Sequence, residues 1–192
     1  MENLGKRIYA EKGRLLVASP AILDPFFSRS VVFLLESDAD KGHIGLVLNH
    51  AMPLNMSDLV PVWEDGRRWV MYNGGPVEMS RLFMLHTMGD RFRGSHEIAP
   101  GIFVGGELKD VTEHLQSEEA DAGEVRFFLG YSGWEKGQLE AEIEVGDWIV
   151  KDITDPESLL QGDGARYWRR EVLELGTEYR HWSVMPETPQ IN

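Results

Sequence analysis

The sequence contains no cysteine, which excludes a disulfide framework and any metal site built from thiolates. It also lacks a run of about 18 consecutive apolar residues, so no segment is predicted to span a membrane. The opening segment MENLGKRIYAEKG has no apolar stretch followed by a small-residue cleavage site, and we expect no signal peptide. These absences predict a cytoplasmic protein.

Positive charge is scarce in this chain. There are 19 lysine and arginine residues against 32 aspartate and glutamate residues, which is a formal net charge of −13 at pH 7. Such a surface repels phosphate groups and anionic lipids within the Debye length, about 8 Å at physiological ionic strength. We therefore expect no direct binding to nucleic acid and no membrane contact.

The stretch ARYWRREVLELG (165–176) is the best local candidate for a basic patch. Its apolar residues recur at i, i+3, i+7 and i+10, which favours an amphipathic helix packed on the domain over a recognition helix. Glutamates among the arginines dilute the positive charge. The apolar positions are Ala165, Trp168, Val172 and Leu175, and the charged ones include Arg166, Arg170, Glu171 and Glu174.

The glycine-rich stretch GYSGWEKGQ, which begins at Gly130, resembles a nucleophile elbow only in part. The motif G-x-S-x-G needs a small residue at its last position, where this chain has Trp134, and only His181 follows as a base. Ser132 is therefore not predicted to be a nucleophile. The same stretch lacks the order of a phosphate-binding loop, and the GGPV sequence at 74–77 is typical of a tight turn. We predict no catalytic residue.

Metal and cofactor signatures are also missing. The Asp38-x-Asp40 spacing within SDADKG (37–42) is followed by Lys41 and by no closing glutamate, so it predicts a hairpin turn and not a calcium loop. The six histidines do not show the i, i+4 pairing with glutamate of a helical zinc site. We predict no metal and no cofactor. The histidines are His43, His50, His86, His96, His114 and His181.

The length of 192 residues fits one domain, 1–192, and apolar runs bounded by turn residues predict an α+β protein. Helices are expected at 107–116, at 165–176 and after Asp155, which precedes Pro156 as a cap. A loop with one short helical turn, capped by Asn55 or Ser57 and stopped by Pro61, is expected over 52–61. Strands are expected at 13–20, 30–36, 43–50, 68–72, 81–87, 101–105, 125–131 and 147–152.

Two features of the region around 127–148 stay open at this point. The segment LEAEIEV (139–145) alternates like a strand, yet its residues are good helix formers and Gly146 is a suitable C-terminal cap. Aromatic side chains also cluster here. Phe127, Phe128 and Trp148 are predicted core residues, whereas Tyr131 and Trp134 have about even chances of exposure on the turn that we expect there.

Several motifs, in order, resemble the YqgE/AlgH family of bacterial proteins. They are GRLLVASPAILDPFFSRSVVFLLE, GHIGLVLNH, YNGGPV and RFFLGYSGWEKGQLEAEIEVGDWIV, which run from about Gly13 to Val150, and the closing PETPQIN is similar to the family's proline-containing end. Residues 151–192 are expected to form C-terminal helices and an extended tail. Two positions depart from the family, because Ser132 stands where alanine is frequent and His50 stands where arginine is frequent.

The resemblance implies a single α+β domain with a bifurcated, mostly antiparallel sheet that includes a small closed barrel and is flanked by helices. It implies a helix at 138–144, and we adopt that in place of the strand. The family is described as uncharacterised or as regulators of transcription, with no agreed enzymatic activity.

Two functions follow as hypotheses. The first is a non-enzymatic regulator of transcription that acts through contacts with a partner protein, at an exposed apolar surface around the glycine-rich turns. The second is a small-molecule-binding protein or hydrolase, with a pocket where polar groups such as Asn49, Ser132 and Gln138 converge. We favour the first. The candidate surface comprises Asn49, Asn73, Gly74, Gly75, Pro76, Tyr131, Ser132, Trp134 and Gln138.

Overall fold

The computed structural model describes residues 9–59, 69–117, 120–121 and 123–186. The strands within these ranges are β1 (Leu15–Ala18), β2 (Val31–Asp38), β3 (Gly42–Val47), β4 (Ala51–Asn55), β5 (Val70–Asn73), β6 (Val77–His86), β7 (Ser95–Ala99), β8 (Ile102–Gly105), β9 (Val125–Trp134) and β10 (Trp148–Lys151). The α-helices are α1 (Met56–Leu59), α2 (Leu108–Leu115), α3 (Gln138–Glu144), α4 (Pro156–Leu159) and α5 (Gly164–Leu175), and 3-10 turns cover Gly89–Arg91 and Thr177–Val184.

The strands form one curled sheet, a half-barrel, with the helices on its flanks. The order along the sheet is β10-β1-β2-β3-β9-β6-β8-β7, and every neighbouring pair on this path is antiparallel. The hairpin of β4 and β5 joins through a parallel pairing of β5 with β9. The predicted α+β class and mostly antiparallel sheet are confirmed. A single domain, a bifurcated sheet and a closed barrel stay predictions.

Apolar residues of β1 and β2 are buried on both faces of the sheet, which explains their unbroken hydrophobic runs. Successive side chains of a strand point to opposite faces. Leu15 and Val17 accordingly pack with α5, whereas Leu16 packs in a second cluster with Trp134 and Trp148. Each fully buried large apolar side chain contributes about 1.5–3 kcal/mol.

The helices predicted near the C-terminus are confirmed. Asp155 Oδ1 accepts a hydrogen bond from the amide of Glu157 at 3.1 Å and caps α4, with Pro156 as its first residue. On α5 the inward side is fully buried at Trp168 and Val172. Among the charged residues of this helix, Glu171 is buried, and its carboxylate accepts a hydrogen bond from Lys151 Nζ at 2.6 Å.

The segment 138–144 is helical, as the family resemblance implied, although its alternation of apolar and acidic residues is typical of a strand. Gly137, with φ of 77°, turns the chain into α3, and Leu139 is the helix residue that is fully buried. Ile143 packs partly buried against the same cluster, and acidic residues on the other sides face solvent or bind side chains of neighbouring elements.

The GYSGW sequence was expected to be a turn, and that expectation is wrong. It is the second half of β9, where Ser132 pairs with Gly45 and Trp134 pairs with His43. The turn follows at 135–137. Expected loop residues at 52–55 instead belong to β4, and β7 was not predicted at all. Arg68, Pro61 and the tail from 187 lie outside the described residues.

Candidate functional site

Three of the predicted site residues, Gly74, Gly75 and Ser132, lie together in a buried junction of backbones. Gly74 O accepts hydrogen bonds from Val47 N at 2.9 Å and from Ser132 Oγ at 3.1 Å. A Cβ atom on Gly75 would stand 2.3 Å from the carbonyl carbon of Tyr131, and one on Gly74 would stand 2.3 Å from Gly130 O. The glycines therefore allow two strands to approach more closely than side chains permit.

Ser132 is fully buried, and its hydroxyl donates to a backbone carbonyl. Within the described part of the chain no histidine binds this hydroxyl, so the geometry offers it no general base. The hydroxyl stabilises the junction, and the absence of a catalytic role for Ser132 stays a prediction.

Asn49 is buried and its amide group is saturated by backbone partners. Its Oδ1 accepts from Val31 N at 2.9 Å, and its Nδ2 donates to Arg29 O at 2.9 Å and to Gly164 O at 3.0 Å. Its own carbonyl accepts from Gly164 N at 2.7 Å. Asn49 thus links β2, the end of β3 and the start of α5. A buried amide that is this fully bonded has a structural role.

Trp134 is also buried, in an aromatic cluster with Phe27 and Trp148. The indole N–H groups of both tryptophans donate to the same oxygen, Oε2 of Glu142, at 2.8 Å each. Gln138 Nε2 donates to the other oxygen of Glu142 at 2.9 Å. This carboxylate fastens α3 to β9 and β10, so Trp134 serves the core in the described conformation.

The remaining predicted residues reach the surface separately. Pro76 and Gln138 are exposed, and Asn73 and Tyr131 are half-buried. Asn73 Oδ1 accepts from Gly75 N at 3.0 Å, a local turn contact. Asn49 and Ser132 are buried and bonded to backbone groups, whereas Gln138 is exposed. Whether a partner contacts the exposed part of this set stays a prediction.

A groove of about 420 Å³ lies beside the β2–β3 hairpin, and Tyr131 and Trp134 form part of its wall. His43 also lines it, with Nε2 2.8 Å from Glu140 Oε1 and Nδ1 2.9 Å from Ser37 Oγ. The sequence analysis missed this Ser–His–Glu arrangement because its members are 6 and 97 residues apart along the chain. The Ser37 hydroxyl also donates to Ala10 O at 2.8 Å, which ties it to the fold.

A second groove, of about 230 Å³, is mostly apolar and lies between β6, β8 and α2. Leu82 and Leu108 are exposed on its rim, while Met84 and Phe127 form its buried wall. This groove was not predicted, because its residues read as ordinary strand and helix positions.

His86 lies at the buried end of β6. Burial lowers its pKa from 6.5 to about 4. Its Nε2 donates to Gly105 O at 3.1 Å, while Nδ1 accepts from Met88 N at 3.2 Å, so the neutral ring is fully bonded. In the described ranges no cluster of three or more histidine, aspartate or glutamate side chains is arranged to hold a metal ion.

A family model described as DUF179, AlgH-like, matches residues 15–180 of the chain. This chain belongs to the YqgE/AlgH family. A UPF0301 protein of Chlorobaculum tepidum is 37% identical over 180 residues, which are 94% of this chain and 95% of that protein. A UPF0301 protein of Bacteroides thetaiotaomicron is 32% identical over 186 residues, covering 96% and 93% of the two chains.

Solved structures of similar proteins share the fold. The solution structure of the AlgH protein from Pseudomonas aeruginosa matches with a TM-score of 0.67 and 26% identity, over 95% of this chain and 98% of that one. A crystal structure from Corynebacterium diphtheriae matches with a TM-score of 0.77 at 22% identity, over 95% and 96% of the chains. Among the helices of the described ranges, none is long and apolar enough to cross a membrane.

Proposed function

We propose that this member of the YqgE/AlgH family is a non-enzymatic cytoplasmic protein that regulates transcription indirectly, through contact with a partner protein. The observation that carries the proposal is the exposed half of β6 beside the apolar groove. Met79 is 51% exposed and Leu82 is 40% exposed on this strand. Apolar side chains that flank a groove of this kind are typical of a protein contact.

The outer edge of β6 is open over the same residues. On one side β6 pairs with β9 from Leu82 to His86, but on the other side β8 pairs with Leu85 and His86 alone. Among the described residues no strand pairs with the outer edge at 82–84. A free edge beside an apolar groove suits β-augmentation, in which an extended segment adds a strand and places alternate side chains in the groove.

The occupant that we propose is an extended segment of a partner protein that carries both basic and apolar residues. Its apolar side chains would contact Leu82, Leu108 and Met84 in the groove. Basic residues complement the formal net charge of −13, which attracts a cationic partner and repels nucleic acid. This charge also favours the indirect route to transcription over direct binding to DNA.

The experiment is complementation of a deletion strain with three forms of the protein, followed by measurement of the transcriptome. Wild type and Leu173→Asp, a matched change at an α5 leucine that is 52% exposed, are expected to restore the transcript profile. Leu82→Asp is expected to fail, because a carboxylate on the groove rim opposes an apolar contact. Equal restoration by Leu82→Asp, or an unchanged transcriptome in the deletion strain, would overturn the proposal.

Direct contact is tested with a photo-reactive amino acid placed at Met79 and, as the control, at Leu173. The proposal expects a cross-link from position 79 to an extended basic segment of a defined partner. Cross-links that map to a folded acidic surface, or that form equally from both positions, contradict it.

The architecture carries a finer proposal. We infer that the sheet divides at β9 and that one branch closes a small barrel. Support comes from β9, which pairs with β6 along one edge while β5 pairs at Phe127–Leu129 and β3 pairs at Ser132–Trp134. An experimental structure in which one side of β9 carries a single continuous neighbour would contradict the division.

A further inference from the structure

Arg126 of β9 is a buried cation, 5% exposed, that is bonded only to carbonyl groups and an aromatic ring. Its Nη1 donates to Leu48 O at 2.7 Å, and its Nη2 donates to Leu160 O at 2.5 Å and to Gly162 O at 2.8 Å. The guanidinium carbon stands 4.2 Å from the ring centre of Tyr72. These contacts hold the side chain in one position.

No carboxylate among the described residues forms an ion pair with this guanidinium. Buried charges in proteins are normally paired, because removing an ion from water without a counter-ion is costly. Burial accordingly lowers the pKa of Arg126. Asp163 acts on this charge only from beyond ion-pair distance, and the cation of Arg170 opposes that effect, so the buried positive charge favours a small anion that reaches it.

The hydrogen bonds to carbonyl groups do not use all N–H groups of the guanidinium. It carries five N–H bonds, and the three hydrogen bonds to carbonyls leave the Nε–H and one Nη1–H unused. Tyr72 lies beside it, and in the described part of the chain the hydroxyl of Tyr72 has no hydrogen-bond partner. Arg126 and Tyr72 thus both offer donor hydrogens, and both residues line the same pocket.

A pocket of about 110 Å³ adjoins these donors. Arg126 and Tyr72 both line it, and the other walls are largely apolar, with Trp69, Phe127 and Leu160 among them. A cavity of about 150 Å³ in another protein holds benzene, so this pocket is large enough for a short organic molecule of about four carbons.

We propose that this pocket binds the carboxylate of a short aliphatic monocarboxylic acid, with Arg126 and Tyr72 as donors and the apolar walls around the alkyl chain. A single negative charge matches the single guanidinium, and a planar carboxylate suits its fork. A phosphate dianion would bring a second charge against apolar walls that offer it no partner. The site is independent of the β6 groove, so its test does not depend on the proposed regulatory function.

The test uses butyrate as the probe and follows backbone amide chemical shifts of the full chain by NMR. Saturable shifts at Tyr72, Arg126 and their neighbours are expected with wild-type protein, and acetate should bind more weakly because it lacks the alkyl contact. Tyr72→Phe removes only the hydroxyl and should weaken butyrate binding several-fold. Tyr179→Phe, a matched change outside the pocket, should leave binding unchanged.

Arg126→Lys keeps the positive charge but removes the planar set of guanidinium N–H donors. It should weaken butyrate binding more than Tyr72→Phe does. If this variant fails to fold, the comparison of Tyr72→Phe with Tyr179→Phe decides. The proposal is overturned if butyrate gives no saturable shifts in wild type, if Tyr72→Phe binds as well as Tyr179→Phe, or if inorganic phosphate binds at these residues and butyrate does not.

Discussion

Two neighbouring regions of the sheet differ in a way that bears on function. The junction of β3, β5 and β9 contains the distinctive residues of the sequence, including Gly74, Gly75 and Ser132, and it is buried. The outer half of β6 contains ordinary residues such as Met79 and Leu82, and it is exposed beside a groove. The glycines and the serine that stand out in the sequence therefore allow close backbone packing. The surface that is available to a partner consists of residue types that are common in any strand.

The largest effect on stability is expected from a substitution in the junction of β3, β5 and β9. Gly75 has φ of +147°, and an added Cβ would stand 2.4 Å from both Ser132 N and Ser132 Oγ. Gly75→Ala is therefore expected to lower the free energy of unfolding by about 3 kcal/mol or more, because backbone atoms must move apart. Denaturant unfolding measures the loss.

Gly133→Ala is the matched control for that change. The residue is exposed, and its added Cβ would meet side-chain atoms at ordinary distances of 3.6 and 3.9 Å. Its effect should stay within about 0.5–1 kcal/mol. If both alanine variants unfold at the same denaturant concentration, the junction is not the constraint that the close approach indicates.

The next effect concerns the buried end of β6. In the unfolded chain His86 takes up a proton below its ordinary pKa of 6.5, whereas in the folded protein it does so only below about 4. The free energy of unfolding should therefore fall as the pH is lowered from 6.5 to about 4. The loss from this one group approaches about 3 kcal/mol. Denaturant unfolding across this pH range measures the slope.

His86→Leu tests the assignment, because it removes the titrating group at a baseline cost of two backbone groups that lose their partner, the carbonyl of Gly105 and the amide of Met88. It should flatten that part of the pH dependence. His96→Leu, at an exposed histidine, should retain it. A slope that is the same in wild type and in His86→Leu would assign the pH dependence to other groups.

The smallest expected effect on stability is at the exposed half of β6. Leu82→Asp changes a side chain that is 40% exposed, so the free energy of unfolding should change by no more than about 0.5–1 kcal/mol. Thermal unfolding of the variant, compared with that of Leu173→Asp, checks this. A loss comparable with that of Gly75→Ala would show that Leu82 is a core residue, and it would remove the contrast between the two regions.

Local signals in the sequence were sufficient for much of the fold. Apolar runs located most of the strands, and the Asp155–Pro156 pair located the start of α4, because each of these signals lies within a few neighbouring residues. The pattern failed at α3, where alternation of apolar and acidic residues predicted a strand. It also failed at the GYSGW half of β9, where glycine composition predicted a turn.

The candidate site was less predictable for a related reason. The sequence identified residues that lie close together in space, such as Gly75 and Ser132. It did not show that the contact between them is a buried contact of backbone atoms. Arg126 was not predicted to be a site residue, because in the sequence it is a single arginine within an apolar strand. Its guanidinium is bonded to carbonyl groups that lie 34, 36 and 78 residues away along the chain, and these partners take the place of a carboxylate.

By itself, therefore, the sequence determined the α+β class, the family, the negative net charge and the positions of most elements. These properties follow from composition, short-range periodicity and ordered motifs. Only the tertiary structure decided that Ser132 and Trp134 are buried, that the outer edge of β6 is open among the described residues, and that a cation without a carboxylate partner borders a pocket. Burial and pairing are set by contacts between distant segments, such as the 58 residues that separate Gly74 from Ser132, and no local pattern records them.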